Sequence, residues 1–549
     1  MSKLSKFYSV GIDMYKSAAD AASDEMRVYL SADAMDEAVG KAEAFLKAKG
    51  ISYEEPLPKE KGMAEVSVTC KDEPILCEVR FYPIQRGDTF KTDYEPSGRI
   101  DFTRVVTNPD GKVQVSLEEG KYLVKVSKGS EYEITYLKTE ILNGKTTSIT
   151  AELTRFTDLT EEGIYARDIH HHSIYSSPVW GGTDDVIESC EEVSFSMQAK
   201  GLAYGALSDH HNILNHKEWK ATESKDFLPI PSKEISTSNG HVLALGVDEY
   251  DVIYRIPEAK DRTEKYLRDE FVRITDEIKA HDGLAQLNHP RDLSISISWN
   301  RDFYDMTGIF ETIEIWNGSN PMYYGTTDAM AALFWRDLLE KGEFIPATTG
   351  SDTHNTRAND YHKIYAHIKW LSEKIGTLLK SEDADEFKEE RYTLESFVKL
   401  SEKFLPLLEV WAKTSLTSGC VRTYADLGDK EKTRKNILDA LRHGNSFLTN
   451  GPILLASVNG CKPGETCKAS NGKADIDIKL ISNRPVAKLE AFLSNKKSVL
   501  IPITERKTEG HYDYSLKLKD FDITDSKYIF FVASKDCTNI AITNPVLIG

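Results

Sequence analysis

The sequence predicts a mixed α/β domain in the middle of the chain, with one β-sandwich domain before it and another after it. Three observations predict this organisation. Strand and helix patterns alternate from about residue 156 to 370, whereas short strands separated by turn residues fill 64–153 and again 453–548. Strands that alternate with helices form parallel sheets or barrels, and short strands between regular turns form sandwiches.

Length and composition indicate several soluble domains. At 549 residues and 61.8 kDa the chain is too long for one hydrophobic core, so we expect three or four domains. The net charge of −18 disfavours nucleic-acid and anionic-membrane partners. The seven cysteines are scattered without a CxxC pair, and neither a signal peptide nor an apolar run of about 18 residues is found. These features predict a reduced, cytoplasmic protein that is not membrane-bound.

Two segments precede the α/β domain. Residues 1–60 are predicted as an N-terminal helical segment, because apolar residues recur at helical spacing over 34–46 and Gly50 is a typical helix stop. Residues 61–155 are predicted as a β-sandwich. Its order of short strands and turns, such as Asp110-Gly111, resembles the prealbumin-like domains attached to many hydrolases.

Residues 156–450 are predicted as the α/β domain, and residues 451–549 as the second β-sandwich. A charged helical insertion is predicted over about 371–425. The other predicted elements are buried strands at 202–207, 283–287, 312–316 and 344–349, and helices at about 184–200, 262–280, 328–341 and 431–442. Active sites of α/β folds form at the C-terminal ends of the strands, so the residues that follow these strands are the candidates for function.

Histidines are concentrated in this domain, where 12 of the 14 lie between His170 and His367. The first cluster is Asp168-Ile169-His170-His171-His172-Ser173. Alternate side chains of a strand face the same side, so Asp168, His170 and His172 share one face and His171 points to the other. Imidazole and carboxylate groups are ligands of divalent metals, so this face is a candidate metal site.

Further ligand-type residues stand where the predicted strands end. They are Asp209 and His210 after the first strand, Glu234 with the nearby His241, His289 after the second strand, and Asp352 with His354 after the last. Arg291 follows His289, where its guanidinium suits either a substrate anion or a structural salt bridge. The sequence contains no GxxxxGK[ST] phosphate loop, no GxGxxG after a strand and no GxSxG nucleophile motif.

The ordered series DIHHHS, LSDHHN, KE followed by GH, NHP and GSDTH resembles the polymerase-and-histidinol-phosphatase (PHP) superfamily of metallohydrolases. IEIWN at 313–317 and TNGP at 449–452 resemble its carbaryl-hydrolase-like (CehA/McbA) branch, which also carries flanking β domains. The resemblance implies a distorted (β/α)7 PHP-type barrel flanked by the two β-sandwiches. It further implies two or three divalent ions. Histidine and carboxylate ligands without cysteine permit Zn, Mn or Fe.

The resemblance also implies a ligand set. The first ion would be held by His170, His172, Glu234 and Asp352, the second by Glu234 as a bridge with His241 and His289, and the third by His210 and His354. Ser176-Ser177-Pro178 stands where the superfamily often has a further ligand, so we expect two ions and leave the third open. Asp209 either substitutes as a ligand or orients a histidine.

The resulting hypothesis is a metal-dependent hydrolase, first of all a phosphoesterase whose nucleophile is a hydroxide bridged between two metals at Glu234. Asp352 or His210 would transfer the proton, and Arg291 would bind an anionic small-molecule substrate. Hydrolysis of a carbamate or a carboxylic ester is the alternative. A non-catalytic, metal-stabilised binding protein is a third interpretation.

Overall fold

The structure is a computed structural model of the chain. It describes residues 32–51, 60–84, 102–182, 184, 186–258, 260, 262–292, 297–318, 321–322, 326–354, 361–380, 390–414, 417–468, 471–508, 510–536 and 538–549. Within these ranges no helix combines the length and the apolarity needed to cross a bilayer.

The N-terminal region is a helix followed by two four-stranded sheets. The elements are α1 (Ala32–Ala48), β1 (Lys61–Cys70), β2 (Glu73–Pro74), β3 (Glu78–Pro83), β4 (Thr103–Val106), β5 (Lys112–Glu118), β6 (Gly120–Ser127), β7 (Thr135–Ile141) and β8 (Thr146–Glu152). One sheet has the order β2-β1-β5 with β8 also on β1, and the other has the order β4-β3-β6-β7. Alternate residues of β1 are buried, because that face packs on the core shared by the two sheets.

The central region alternates strands with helices. Its elements are β9 (Ile164–Asp168), α2 (Cys190–Ala199), β10 (Tyr204–Leu207), α3 (His216–Lys220), β11 (Leu228–Thr237), β12 (Gly240–Leu245), α4 (Glu264–Ala280), β13 (Leu284–Asn288), β14 (Thr312–Asn317), α5 (Thr327–Lys341) and β15 (Ala347–Gly350). The helix predicted from residue 184 begins only at Cys190, because Ser189 forms a capping box with Glu192 there. Asp184 and residues 186–189 therefore lie in the loop that precedes α2.

The seven strands of this region follow one another in space in the order β15-β14-β13-β12-β11-β10-β9. Neighbours are parallel except for β12, which is antiparallel to both β11 and β13. Backbone hydrogen bonds also connect the segments that follow the two outermost strands: Asp352 N donates to His170 O at 2.7 Å, and His172 N donates to Thr353 O at 3.1 Å. The C-terminal ends of the first and last strands are therefore neighbours.

A helical insertion separates the last of these strands from the rest of the sheet. It consists of α6 (Tyr361–Leu378) and α7 (Arg391–Thr414), so it begins about ten residues before the predicted insertion at 371. The chain then forms β16 (Arg422–Asp426), α8 (Arg434–His443) and β17 (Ser446–Thr449). β16 pairs antiparallel with β9, which returns the chain to the sheet that carries the first histidine cluster.

The C-terminal region is a second pair of packed sheets. Its strands are β18 (Ile453–Val458), β19 (Thr466–Cys467), β20 (Lys473–Ser482), β21 (Lys488–Leu493), β22 (Ser498–Ile501), β23 (Arg506–Lys507), β24 (Tyr512–Asp513), β25 (Leu516–Asp522), β26 (Tyr528–Ser534), β27 (Ile540–Thr543) and β28 (Val546–Ile548). The boundary predicted near residue 450 falls between β17 and β18. The hydrogen-bonded sheet nevertheless crosses it, because β17 pairs with β27.

The N-terminal and central regions meet at a buried carboxylate, Glu78. Its oxygens lie 2.7 Å from Arg80 Nε, 2.5 Å from Arg104 Nε and 2.6 Å from Lys200 Nζ. Lys200 directly follows α2, so one carboxylate joins two N-terminal strands to a helix of the central region. Although burial favours the neutral acid, the three cations hold the pKa of Glu78 well below its usual range.

Candidate metal centre

The strand ends bring eight of the nine predicted metal ligands together. The eight residues form four overlapping groups of three. Each residue of a group offers one ligand atom, a ring nitrogen or a carboxylate oxygen, and the three atoms lie within 4.8 Å of one another. The groups are His172, His210 and His354; His170, His289 and Asp352; His170, His172 and Glu234; and Glu234, His241 and His289. Because the groups share members, the geometry provides adjacent positions for more than one divalent ion.

Glu234, on β11, lies at the centre of these groups. Its carboxylate is 3.1 Å from His241 Nδ1, 3.2 Å from His289 Nε2 and 3.2 Å from His210 Nδ1, and it accepts a hydrogen bond from Asn288. Burial favours the neutral acid, but the neighbouring histidines hold the pKa of Glu234 well below its usual range. A buried carboxylate surrounded by imidazoles on several sides is suited to bridge two cations.

The orientation of His170 provides a test of whether a cation fits. Its Nδ1 lies 3.0 Å from Glu314, which is fully buried, so Nδ1–H donates to that carboxylate. Nε2 then faces carboxylate oxygens of Asp352 at 3.2 Å and Glu234 at 3.4 Å and makes no hydrogen bond. A ring nitrogen placed among carboxylate oxygens attracts a cation, either a proton or a divalent metal ion that replaces it, so the donor set fits a metal ion.

His172 is fixed in the same way by a serine. Ser176 Oγ donates to Asp209 at 2.7 Å, so it accepts from His172 Nδ1 at 2.8 Å. This leaves the Nε2 lone pair of His172 directed at Asp352 Oδ1, 2.9 Å away. Both histidines of the HxH pair therefore present Nε2 to the candidate metal positions.

Asp209 lies outside the four ligand groups, and its contacts fit the second of its two predicted roles, the orientation of a histidine. Its two oxygens accept hydrogen bonds from Ser173 N, Ser173 Oγ and Ser176 Oγ, each at 2.7 Å, and from Asn215. These four donors use the acceptor positions of the Asp209 carboxylate, and Asp209 orients His172 through Ser176.

Asp184 is a further carboxylate near the centre that the sequence motifs do not mark. Its Oδ2 lies 2.7 Å from His210 Nε2 and 3.4 Å from His354 Nε2, next to the group formed by His172, His210 and His354. Sequence reasoning missed it because it lies in a loop well beyond Ser176 and Ser177 and was assigned to a helix. The sequence marks Glu314 only as part of the IEIWN motif at 313–317. A carboxylate inside a buried strand is nevertheless a signal that the residue contacts the site.

Two other predicted residues lie beside the centre. His171 is fully buried, with Nδ1 2.8 Å from His172 O and Nε2 2.8 Å from Ser418 Oγ, which fits its position on the opposite strand face. Arg291 is half-buried, and its guanidinium is hydrogen-bonded to the hydroxyl of Tyr304 and lies 5.7 Å from the centre of that ring. Arg291 belongs to none of the four ligand groups.

The backbone is strained at two candidate ligands. His289 and Asp352 have φ angles of 24° and 50°, a region that side chains with a Cβ rarely adopt. Such conformations persist only where surrounding contacts hold them, and they cluster at functional sites. Here the strain turns both side chains out of their strands towards Glu234 and His170.

We expect metal affinity to increase from pH 6 to about pH 9. Burial opposes protonation of His170, His289 and His354. Neighbouring carboxylates outweigh burial, so the pKa of His170 lies well above its usual value and the pKa values of His289 and His354 rise to about 9. At neutral pH a metal must displace these protons. Titration calorimetry in buffers of different ionisation enthalpy measures the proton release. A dissociation constant independent of pH between 6 and 9 would contradict this expectation.

Comparisons with known proteins assign no family. No protein-family model and no curated protein matches the chain. Among solved structures, the TIE protein of Bacillus anthracis is 14% identical over 21% of this chain and 19% of its own, with a TM-score of 0.14. The minor pilin GBS52 of Streptococcus agalactiae is 21% identical over 18% of this chain and 47% of its own, with a TM-score of 0.15. The chain thus spans about a fifth and about half of these two proteins.

An amidohydrolase from Chromobacterium violaceum, solved with bound sulfate and no metal, is also similar in part. It is 14% identical over 37% of this chain and 96% of its own, with a TM-score of 0.23. At TM-scores this low none of the three structures carries an argument about fold or function. The chemistry of the candidate metal centre therefore rests on its own geometry.

Proposed function

We propose that the protein is a metal-dependent hydrolase and that its substrates are phosphate esters. The observation that carries the proposal is the overlap of the four ligand groups: two of them contain Glu234, and the other two contain histidines 3.2 Å from its carboxylate. A structural site for one ion needs only one such group. Overlapping groups suit two or three neighbouring ions, an arrangement typical of phosphate-ester hydrolysis.

Divalent ions held in these groups would lower the pKa of a bound water and stabilise negative charge on the substrate. The protein's own residues prepare the site for this chemistry. Glu314 and Ser176 fix the rings of His170 and His172 so that Nε2 of each faces inward. Both ring nitrogens of His210 face carboxylates, Glu234 and Asp184, which fixes its orientation.

Asp352 is suited to proton transfer. Its side chain is 24% exposed, whereas that of Glu234 is 1% exposed, so Asp352 contacts both the ligand groups and the solvent side. A carboxylate in this position accepts a proton from the attacking water and returns it to the leaving group. Arg291, positioned by Tyr304, would bind two phosphate oxygens through its planar guanidinium.

We further propose that β9–β15 form the distorted (β/α)7 barrel implied by the sequence resemblance. The continuous strand order supports it, as do the backbone hydrogen bonds between residues 170–172 and 352–353. Such closure places the C-terminal strand ends around one point, as catalysis at this centre requires.

Metal reconstitution tests the proposal. Protein freed of metal by chelation should bind about two divalent ions per chain when supplied with Mn, Fe or Zn, and the reloaded protein should hydrolyse members of a phosphate-ester panel. If the protein hydrolysed only aryl carbamates or carboxylic esters, its substrates would be these esters and not phosphate esters. Binding of less than one ion per chain would refute the metal-dependent mechanism, and an unchanged hydrolysis rate in His170→Ala would favour a non-catalytic metal site.

A further inference from the structure

The exposure of the candidate ligands shows from which side a substrate reaches them. The side chains of His170 and Glu234 are 0% and 1% exposed, whereas those of Asp184 and His354 are 29% and 35% exposed. Solvent therefore reaches the centre on the side of Asp184. Residues 174–182 and Asp184 lie in the loop between Ser173 and α2, so this part of the loop forms one wall of the entrance.

This wall carries exposed apolar side chains. Val179 is 84% exposed and Trp180 is 43% exposed, and the Trp180 ring lies 5.3 Å from that of Tyr175. Single exposed hydrophobic residues are normal on a protein surface and need no explanation. Here, however, four of the thirteen large exposed hydrophobic residues in the described part of the chain lie on two loops beside the centre: Val179, Trp180, Ile187 and Leu214.

Hydrogen bonds fix this apolar wall to the candidate metal centre. The side-chain nitrogen of Asn212 lies 2.9 Å from both Tyr175 O and His210 O, and 3.3 Å from Trp180 O. Asp184 N also donates to Ser176 O at 3.0 Å, and Ser176 Oγ contacts His172. The position of Trp180 is thus tied to two candidate ligands, His172 and His210, by a few polar contacts.

We infer that Val179 and Trp180, with Leu214, form a binding surface for the organic group of the substrate. The inference rests on the proposed function and narrows its substrate class to esters that carry an aryl or similarly apolar group. An anionic ester group at the centre places its organic substituent towards the exposed side, where this wall stands. Burying an apolar group against such side chains stabilises binding in proportion to the area covered.

Binding of two non-hydrolysable phosphonates tests the inference without measuring catalysis. On the metal-loaded protein, titration calorimetry should show phenylphosphonate binding about tenfold more tightly than methylphosphonate, because only the phenyl group covers the wall. Trp180→Ala should reduce this preference to about twofold and leave methylphosphonate binding unchanged. Val179→Ser, at a more exposed position, should reduce it about threefold. Leu500→Ala, which removes an equally apolar side chain that is 63% exposed in the C-terminal region, should retain the full preference.

The outcomes separate the inference from the proposed function. If neither phosphonate binds the metal-loaded protein, the proposed phosphate-ester site is wrong and the inference fails with it. If both bind with the same affinity, or if Trp180→Ala and Val179→Ser retain the tenfold preference, only the apolar surface is refuted. A preference that falls to about twofold in Trp180→Ala and to about threefold in Val179→Ser, but stays about tenfold in Leu500→Ala, supports it.

Discussion

Replacing Glu234 with glutamine should lower kcat/KM by at least about a thousandfold and reduce bound metal below two ions per chain. The carboxylate belongs to two of the four ligand groups and lies 3.2 Å from a histidine of each of the other two, His210 and His289. The amide keeps its volume but removes its charge. Charge stabilisation by the bound ions is worth several kcal/mol, and each 1.4 kcal/mol corresponds to about a tenfold change in rate. Elemental analysis and steady-state kinetics on the same preparation measure both effects.

A matched variant separates this effect from a general effect of losing a carboxylate. Glu343→Gln makes the same chemical change at an exposed position in the central region, and it should leave metal content and rate unchanged. A Glu234→Gln protein that keeps two ions and more than about a tenth of the activity would show that Glu234 is not the bridging group. The metal-free variant should also melt at a lower temperature, because the amide no longer balances the buried histidines whose pKa values the carboxylate raises.

The candidate ligands were predictable because strand periodicity and strand ends constrain them. His170 and His172 are two residues apart, so they reach one face, and His289 and Asp352 follow buried strands whose apolar runs are visible in the sequence. The position of Asp184 could not be predicted in this way. It reaches His210 through a loop, and loop conformation depends on contacts such as Asp184 N to Ser176 O that no sequence period encodes.

Tertiary contacts account for the other differences. The helix at α5 was predicted at 328–341 and occurs at Thr327–Lys341, because its apolar spacing and Gly342 define it locally. By contrast, the pairing of β17 with β27 joins residues about 95 positions apart, so a boundary placed from local turn signals cannot anticipate a sheet that crosses it. The ion pair of Glu78 with Lys200 could not be predicted for the same reason, because Lys200 lies in another region of the chain.

Replacing Glu78 with glutamine should lower the free energy of unfolding of the N-terminal region by about 3–5 kcal/mol. The variant leaves Arg80, Arg104 and Lys200 buried around an uncharged amide, and breaking a buried charge network by removing one partner has an effect of this size. Burial outweighs Glu78 at Lys200 and lowers its pKa, so this lysine can lose its proton when the carboxylate is removed, but its amine then stays buried without an ionic partner. The double variant Glu78→Gln/Lys200→Met should therefore recover part of the stability, whereas the exposed control Glu119→Gln should change it by less than about 0.5 kcal/mol.

The pH dependence of this effect has a definite sign. The folded protein holds the pKa of Glu78 well below the value of about 4.3 that a glutamate has in an unfolded chain. A group with a depressed folded pKa stabilises the fold above its unfolded pKa, and this contribution is lost as the pH falls towards the folded pKa. The difference in unfolding free energy between the natural protein and Glu78→Gln should thus be constant above about pH 5 and decrease below about pH 4. Urea denaturation between pH 3 and pH 7 measures this difference in unfolding free energy. A difference that grew on acidification would mean that Glu78 is protonated in the folded protein and that other groups balance the three cations.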